Sequence, residues 1–314
     1  MMSIQKSQID YVLALAKTGS FSQAAELCYI TQSTLSTMIR KYEDSIGIQL
    51  FDRKKKPIKP TPEGVLIIEQ LLRLNHEFDS LEELSKEIKG EIVGGLEIGV
   101  IPTIAPFLLP LFLNSLIRDY PTVQFSIHEL TTDEIIRRIK RRDLDLAIVS
   151  TPLDEPELRE IPLFLEDFVL YETRTLSETK RYKVEDIDLN RLWLLEEGHC
   201  MRNQVDKICA LRQQRSIHKH LVYRSGSIYS LIEMVKANSG ITLLPRLAVQ
   251  NNPLLDPKHI YPLELPVPTR EIGLVTHVNF VKNRILKVLE KRIRASVKGK
   301  LTVKDQPHNK IKPF

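Results

Sequence analysis

The apolar pattern of this chain changes its period once, and that change limits the fold more than any other feature. Over residues 7–88, apolar side chains recur every three or four residues, which predicts a succession of helices. From Gly94 onward, short apolar runs alternate with helical segments, as in α/β domains. A chain of 314 residues can hold two or three domains. The sequence therefore predicts a helical head followed by a larger α/β domain.

The composition indicates a globular protein of a reducing compartment. Charged residues make up 27% of the chain and hydrophobic residues 42%, and 3 cysteines in 314 residues exclude a disulfide-stapled secreted scaffold. The longest apolar stretch, Ile104 to Leu113, is too short for a membrane span and contains two prolines. The polar start, Met1 to Asp10, does not resemble a signal peptide. We therefore expect a cytoplasmic protein.

Three closely spaced helices are predicted at the start of the chain: one from Ser7 to Gly19, a short one over 23–28, and one from Thr31 to Gly47. Although a polar helix face is more often merely solvated, that of the third helix carries short hydrogen-bonding side chains and one arginine. These suit a helix that enters the major groove end-on. The candidate DNA-binding residues are Gln32, Ser33, Thr34, Ser36, Thr37 and Arg40.

A basic loop follows the third helix. Five of the seven residues from Arg53 to Lys59 are Lys or Arg. Most charge runs are only solvated surface, but a loop in this position forms a wing whose cations, including Arg53 and Lys54, can reach DNA phosphates. A second basic run, Lys282 to Lys312, has no such context, and we assign no role to it or to a basic tail over 301–314.

The order of helix, short helix, recognition helix and basic wing resembles the N-terminal domain of the LysR-type regulators. The resemblance implies a winged helix-turn-helix over residues 1–61 that binds double-stranded DNA in a transcription regulator, with RNA polymerase as a further partner. Cys28, on the apolar side of the second helix, is expected in the core. The motifs that carry the resemblance are Phe21, Ala24, Ala25, Thr31-Gln32-Ser33-Thr34-Leu35-Ser36, Ile39, Glu43, Gly47, Leu50-Phe51-Asp52-Arg53 and Thr61-Pro62-Glu63-Gly64.

A long linker helix is predicted over residues 62–90, beginning at Thr61 and Pro62. Its apolar positions step by three and four over about 25 residues, or about 38 Å of helix. An apolar stripe of that length requires a partner helix. Because the family uses this helix to dimerise, the resemblance implies a homo-oligomer, a dimer of dimers, that binds pseudo-palindromic sites.

The second domain, residues 91–300, is predicted to be a doubly wound, parallel α/β arrangement. Two crossovers, near 164–168 and 266–270, divide it into lobe I (about 91–164 and 269–300) and lobe II (about 165–268). This layout resembles the two-lobed periplasmic binding proteins, which is the family's regulatory-domain fold. Strands are expected at 96–100, 123–128, 144–149, 192–195, 221–224, 241–244 and 272–276, and helices at 106–118, 132–141, 228–238 and 283–297.

Four polar residues, Thr103, Thr132, His199 and Ser225, are predicted just beyond strand ends. Because ligands in such sheets bind at the carboxyl ends of strands, these residues are expected to line one cleft between the lobes.

Two cysteines nine residues apart form the most informative motif of this domain. We expect Cys200 at a strand-to-helix junction, where free amides, the helix dipole and Arg202 lower its pKa. Such a thiol is typical of redox sensors, and Cys209 can serve as the resolving thiol that forms a disulfide with the oxidised Cys200. If 200–209 is one helix, the two Cα atoms lie about 13–14 Å apart on opposite sides, whereas a disulfide needs about 4.4–6.8 Å. Bridging would then unwind the helix.

This segment resembles the hydrogen peroxide sensors of the OxyR type, which control defences such as catalase and alkyl hydroperoxide reductase. The resemblance implies a peroxidatic Cys200, a resolving Cys209, and peroxide positioned by Thr103 and Thr132 with His199 beside them. It also implies that Arg270 acidifies the thiol, whereas Asn203 replaces a common Asp. The motifs are Val100-Ile101-Pro102-Thr103, Pro106, Leu108-Leu109-Pro110, Gly198-His199-Cys200, Arg202, Gln204, Cys209, Ser239-Gly240-Ile241-Thr242-Leu243-Leu244-Pro245 and Ile272-Gly273-Leu274-Val275.

Three classes of function compete. The first is a peroxide-switched regulator, the second a LysR-type regulator that responds to a small-molecule effector in the inter-lobe cleft and has structural cysteines, and the third a thiol peroxidase. An enzyme does not need a DNA-binding head, so we expect none. Only the paired cysteines and their surroundings separate the first class from the second. No cofactor or metal is expected, since His218 and His220 lack partners at ligand spacing.

Overall fold

The structure, a computed structural model, describes residues 5–174, 181–195, 200–209, 226–250, 252–301 and 308–313. The chain divides into two compact units, of which the first ends at Ile88 and the second begins at Lys89. The predicted strand 221–224, together with His199, His218, His220 and Ser225, lies outside the described residues.

The first unit is a helical domain with a small wing. Its elements are α1 (Lys6–Thr18), α2 (Phe21–Leu27), α3 (Gln32–Ile46), β1 (Phe51–Asp52), β2 (Lys59–Pro60) and α4 (Pro62–Lys89). As predicted, α1 and α3 end at glycines in the left-handed conformation, Gly19 and Gly47. The hydroxyl of Thr31 caps α3 by accepting a hydrogen bond from the Thr34 amide at 3.2 Å. Cys28 packs against the core of this unit, which confirms its predicted place.

The long helix α4 is 28 residues long, or about 42 Å. Only its first turns belong to the core of the unit, through Ile68 and Leu71. Of the predicted stripe, Ile68 and Leu71 are therefore buried, whereas Leu72, Phe78, Leu81, Leu84 and Ile88 are exposed. Val65, Leu66 and Leu74, which were not part of the predicted stripe, are exposed as well.

The second unit is built on an eight-stranded sheet with the order β4-β3-β5-β9-β6-β7, to which β10 adds beside β9 and β8 beside β6. Its strands are β3 (Gly94–Val100), β4 (Val123–Glu129), β5 (Leu146–Thr151), β6 (Leu158–Glu172), β7 (Ile241–Pro245), β8 (Ile260–Pro262), β9 (Val267–His277) and β10 (His308–Lys310). Its helices are α5 (Ala105–Asp119), α6 (Thr132–Lys140), α7 (Cys200–Ile208), α8 (Ile228–Ala237), α9 (Arg246–Val249) and α10 (Asn283–Val297).

Two crossover strands, β6 and β9, join two hydrophobic cores into a two-lobed domain. Along β6, Leu163 belongs to the core of lobe I and Phe168 to that of lobe II. The two strands pair antiparallel, with Glu166 opposite Arg270. The predicted two-lobed α/β fold is therefore confirmed.

The prediction of a doubly wound, parallel sheet was wrong in part. The strands β4, β3 and β5 of lobe I are parallel, but β9 pairs antiparallel with both β5 and β6. The crossover strands carry the chain between the lobes in opposite directions, so their pairing has to be antiparallel.

Residues 192–195 do not form the predicted strand. Only Leu192 makes an isolated bridge, to Ile241. The Trp193 carbonyl, one residue further, accepts a hydrogen bond from the Thr242 hydroxyl at 2.9 Å, and no regular strand is formed by the described residues 192–195.

The tightest glycine contact of the first unit lies between α4 and the wing. A Cβ added at Gly64 would overlap the carbonyl oxygen of Leu50, whereas one added at the exposed Gly95 has nothing within 4 Å.

We expect Gly64→Ala to destabilise the first unit by about 1–3 kcal/mol, because backbone has to move. Gly95→Ala is the matched control. Hydrogen exchange of the α1 and α3 amides measures the effect, and equal protection in both variants would contradict this packing.

Candidate functional site

Cys200 is the first residue of α7, as predicted, and its side chain is buried. It belongs to the core of lobe I, whereas Met201 and Val205, further along the same helix, belong to that of lobe II. The first turn of α7 therefore packs against the hydrophobic cores of both lobes. The preceding His199 and the side chain of Arg202 lie outside the described residues.

A fully buried ion pair lies beside this turn. The Nε of Arg270 donates to Glu166 Oε2 at 2.8 Å, and its Nη1 donates to the hydroxyl of Thr103 at 3.0 Å. The other Glu166 oxygen accepts from the Leu247 amide at 2.7 Å. Burial raises the pKa of Glu166, while the charge of Arg270 opposes that rise. One pair of charges thus connects both crossover strands with the start of α9 and the Thr103 loop.

The pKa of Cys200 is raised, opposite to the lowering that its position in the sequence predicts. Removal of the sulfur from water is the largest cause. The charge of Arg270, the hydroxyl of Thr132 and the amides of Cys200 and Met201 all act in the other direction. Arg270 therefore acts in the predicted direction, but the desolvation of the sulfur outweighs it. The resting thiol is protonated and shielded.

Two buried oxygens near this thiol lack a hydrogen-bond partner in the part of the chain that the structure describes: Thr132 Oγ1 and Gln204 Oε1. The Thr132 hydroxyl is close enough to the sulfur to favour its thiolate, without making a hydrogen bond of full geometry. Gln204 lies one helical turn from Cys200, on the same face of α7. Buried polar atoms of this kind are normally satisfied, so the site suits a small hydrogen-bonding molecule.

Cys209 lies at the other end of the same helix, with its amide donating to the Val205 carbonyl at 2.9 Å. Both cysteines are free thiols. The prediction that this segment is helical is confirmed, so the Cα atoms are about 13–14 Å apart and point to opposite sides. The structure brings Thr132 and Arg270 to Cys200 and Thr103 to Arg270, but it keeps Cys209 away, packed against lobe II.

The predicted recognition surface is exposed. On α3, the side chains of Gln32, Ser33, Thr34, Thr37 and Arg40 are exposed and that of Ser36 is half-buried. In the wing, Lys54 is exposed with its two neighbouring lysines.

Arg53 differs from the wing lysines, because Glu43 holds its guanidinium at 2.7 Å. The same carboxylate accepts hydrogen bonds from the amides of Leu50 and Phe51. Arg53 therefore anchors the wing to α3, and its predicted contact with DNA remains a prediction.

Sequence reasoning missed two functional neighbours of the thiol. Glu166 gave no signal, because it stands in a strand without a motif, although a buried Arg270 requires such a partner. Gln204 was part of the cysteine motif but received no role.

None of the described helices has the length and apolar character needed to cross a membrane. Within the same residues, no three His, Cys, Asp or Glu side chains converge on a metal position.

The sequence matches two family models. Residues 7–65 match the bacterial regulatory helix-turn-helix protein of the lysR family, and residues 89–296 match the LysR substrate binding domain. The chain belongs to the LysR family of DNA-binding transcription regulators.

Individual relatives agree with this membership. The chain is 34% identical over 269 residues to the hydrogen peroxide-inducible genes activator of Dickeya chrysanthemi, covering 85% of this chain and 87% of that protein. It is 32% identical over 293 residues to the transcriptional dual regulator OxyR of Escherichia coli K12, covering 93% and 95%. Among solved structures, a full-length OxyR of Pseudomonas aeruginosa with a cysteine-to-aspartate substitution superposes with a TM-score of 0.74 at 29% identity, covering 94% and 96%.

The partly buried thiol of Cys209 predicts a loss of stability at alkaline pH. Burial, followed by the charge of Asp206, raises its pKa from 9.0 to about 12. Between these values the unfolded chain releases a proton that the folded chain keeps, so the stability present below pH 9 falls as the pH rises toward 12. In the reduced protein, Cys209→Ala should remove up to about 1.4 kcal/mol of this loss per pH unit.

Urea unfolding between about pH 8 and pH 11 measures this difference. Cys28→Ala should change the profile in the same direction but by less, because burial also raises the pKa of Cys28. Parallel pH profiles of the wild-type protein and Cys209→Ala would contradict a buried, protonated Cys209.

Proposed function

We propose that this LysR-type regulator senses hydrogen peroxide through Cys200 and Cys209 and controls peroxide-defence genes. The observation that carries the proposal is the buried Cys200 thiol, with Arg270 and Thr132 acting on it. The side-chain oxygens of Thr132 and Gln204 have no hydrogen-bond partner among the described residues. Relatives named hydrogen peroxide-inducible genes activators, matching 85% or more of the chain, support it.

The first step consumes one peroxide at Cys200. Its sulfur attacks one peroxide oxygen and forms the S–O bond of a sulfenic acid, while the O–O bond breaks. The departing oxygen takes up the thiol proton and leaves as water, so no other acid or base is consumed. The hydroxyls of Thr103 and Thr132 orient the peroxide, and Arg270 stabilises the negative charge that develops. His199 is retained as their neighbour from the family resemblance.

The second step joins the two thiols. The sulfur of Cys209 attacks that of the Cys200 sulfenic acid, the S–O bond breaks, and the hydroxyl leaves as a second water with the Cys209 proton. In total, two thiols lose two hydrogens and one peroxide becomes two waters. Since the thiols sit at opposite ends of α7, the bridge requires that helix to unwind and Cys200 to leave the core of lobe I.

This local refolding is the proposed signal to the DNA-binding unit. In a homo-oligomer assembled through the apolar stripe of α4 and through the second units, rearranged lobes would reset the spacing of the recognition helices. Target sites are pseudo-palindromic duplexes, and RNA polymerase is the proposed downstream partner. These partners place the protein in the cytoplasm.

Cysteine variants test the thiol chemistry. With one equivalent of peroxide, the wild-type protein should form a Cys200–Cys209 bridge. Cys200→Ser should abolish the response, because no sulfenic acid can form. Cys209→Ser should stop at the sulfenic acid or an adduct of Cys200. Mass spectrometry of the peptides distinguishes these products, and Cys28→Ser is the control that should respond normally.

The alternative of a small-molecule effector with inert cysteines makes the opposite prediction. In that case, the thiol count of the wild-type protein would not change with stoichiometric peroxide. A bridge that involves Cys28 would equally contradict the assignment.

The wing predicts how salt affects DNA binding. Replacing Lys54, Lys55 and Lys56 by Ala removes up to three phosphate contacts per protomer, so the slope of log affinity against log salt should fall by up to about 3 for each DNA-bound protomer. The control replaces three exposed lysines of the second unit, Lys258, Lys287 and Lys291, and makes the same change in net charge.

Titrations on one duplex at several salt concentrations give both slopes. Equal slopes for the two triple variants would show that net charge, and not the wing, governs binding.

A further inference from the structure

The last described segment of the chain lies along the second crossover. We call residues 308–313 the strap. Its strand β10 pairs parallel with the start of β9, with His308 opposite Val267 and Lys310 opposite Thr269. The amide of Ile311 extends this pairing by donating to the Thr269 carbonyl at 2.7 Å. The strap is therefore hydrogen-bonded to β9 directly before Arg270, the residue whose charge acts on the Cys200 thiol.

The strap also contacts the helix between the two cysteines. The Nε2 of Gln204 donates to the carbonyl of Ile311 at 3.1 Å, and the Nζ of Lys207 approaches that of Lys312 at 3.3 Å. The same Gln204 amide donates to the Ser150 hydroxyl at 3.1 Å. Because Gln204 and Lys207 are three residues apart, helical geometry places both donors on one side of α7. The two strap carbonyls are therefore matched to the helical form of this segment.

Ion pairs fix the other side of the strap to lobe I and the crossover. Lys310 pairs with Glu271 at 2.7 Å, and Lys312 with Asp154 at 3.1 Å. The second pair is mostly exposed and contributes little, but Glu271 is only 15% exposed. Pro313 is buried. The strap thus has its own attachment to the body of the domain and does not merely follow α7.

We propose that the strap is a conformational lock on the dithiol state, which holds α7 helical and is released when the Cys200–Cys209 bridge forms. The inference rests on the proposed function for the bridging step, in which two thiols and one peroxide give a disulfide and two waters. Unwinding α7 separates Gln204 from Lys207. The strap carbonyls then lose the hydrogen bonds that these two side chains donate. Since coupling is reciprocal, a strap that stabilises helical α7 must be weakened when α7 unwinds.

Removing the strap from the full chain tests the lock in the dithiol state. A variant that ends at residue 307 should exchange its α7 amides about tenfold faster than the wild-type protein, because opening no longer breaks the bonds to the strap. In a thiol–disulfide buffer, its equilibrium should also shift about tenfold toward the disulfide, which makes the reduction potential about 30 mV more negative. Unchanged exchange in α7 would overturn the proposal.

A single substitution provides the same test with little risk to folding. Lys207→Met keeps the apolar stem and loses the donor to the strap, so it should shift the α7 exchange and the redox equilibrium in the same direction, by a smaller factor. Lys207→Arg should restore both values, whereas Lys287→Met, at an exposed position of α10, should change neither. A purely structural role of Lys207 would alter thermal stability without moving the redox equilibrium, and that result would overturn the lock.

The release is measured in the oxidised wild-type protein. Trypsin can cut after Lys310, next to the protected Ile311 amide, so the bridge should make this bond accessible. The thiols are oxidised either by peroxide or by a diazene, which takes two hydrogens from the thiol pair and becomes a hydrazine.

A bridged protein with unchanged cleavage at Lys310 overturns the release and leaves peroxide sensing intact. If neither oxidant forms the bridge, the proposed function fails, and the exchange of α7 in the truncated dithiol protein still decides whether the strap holds the helix.

Discussion

The buried ion pair between Glu166 and Arg270 is the interaction on which the regulatory unit depends. Both side chains are fully shielded from solvent, and they face each other across the two strands that connect the lobes. Burying two charges costs several kcal/mol per ion, and only good geometry with further hydrogen bonds offsets that cost. Here Thr103 and the Leu247 amide supply those bonds. The pair therefore fixes the crossover, and the loss of either partner would leave an uncompensated charge inside it.

The same pair sets the character of the thiol. Arg270, whose guanidinium is paired with Glu166 at 2.8 Å, favours the Cys200 thiolate, but the removal of the sulfur from water has the larger effect on its pKa. The sulfur therefore stays protonated. A protonated, buried thiol resists indiscriminate alkylation and oxidation. Selectivity in such a site has to come from a small oxidant that can enter it and bind the oxygens of Thr132 and Gln204, which have no partner among the described residues, rather than from a permanently reactive sulfur.

Sequence patterns predicted what depends on neighbours along the chain. The helix α10 was predicted at its observed bounds, and the ends of α1 and α3 followed from their glycines. Local pattern also placed Cys200 at a helix start, from which the separation of the two cysteines followed. The features that the sequence pattern did not predict depend on residues far apart in the chain. The antiparallel crossover, the partner of Arg270 104 residues away, and the net direction of the Cys200 pKa shift all arise from tertiary packing.

The helix α7, which begins at Cys200 and ends directly before Cys209, is short, and its stability comes almost entirely from contacts with the rest of the domain. Nine helical residues are too few to remain folded alone in water. Cys200 is held in one core and Met201 in the other, and Gln204 and Lys207 are held by polar partners. Each contact is individually modest, so a single covalent bond between the ends of α7 can outweigh their sum. An element stabilised only by its surroundings also passes any change in its own fold to those surroundings, and here they are both lobes and the crossover between them.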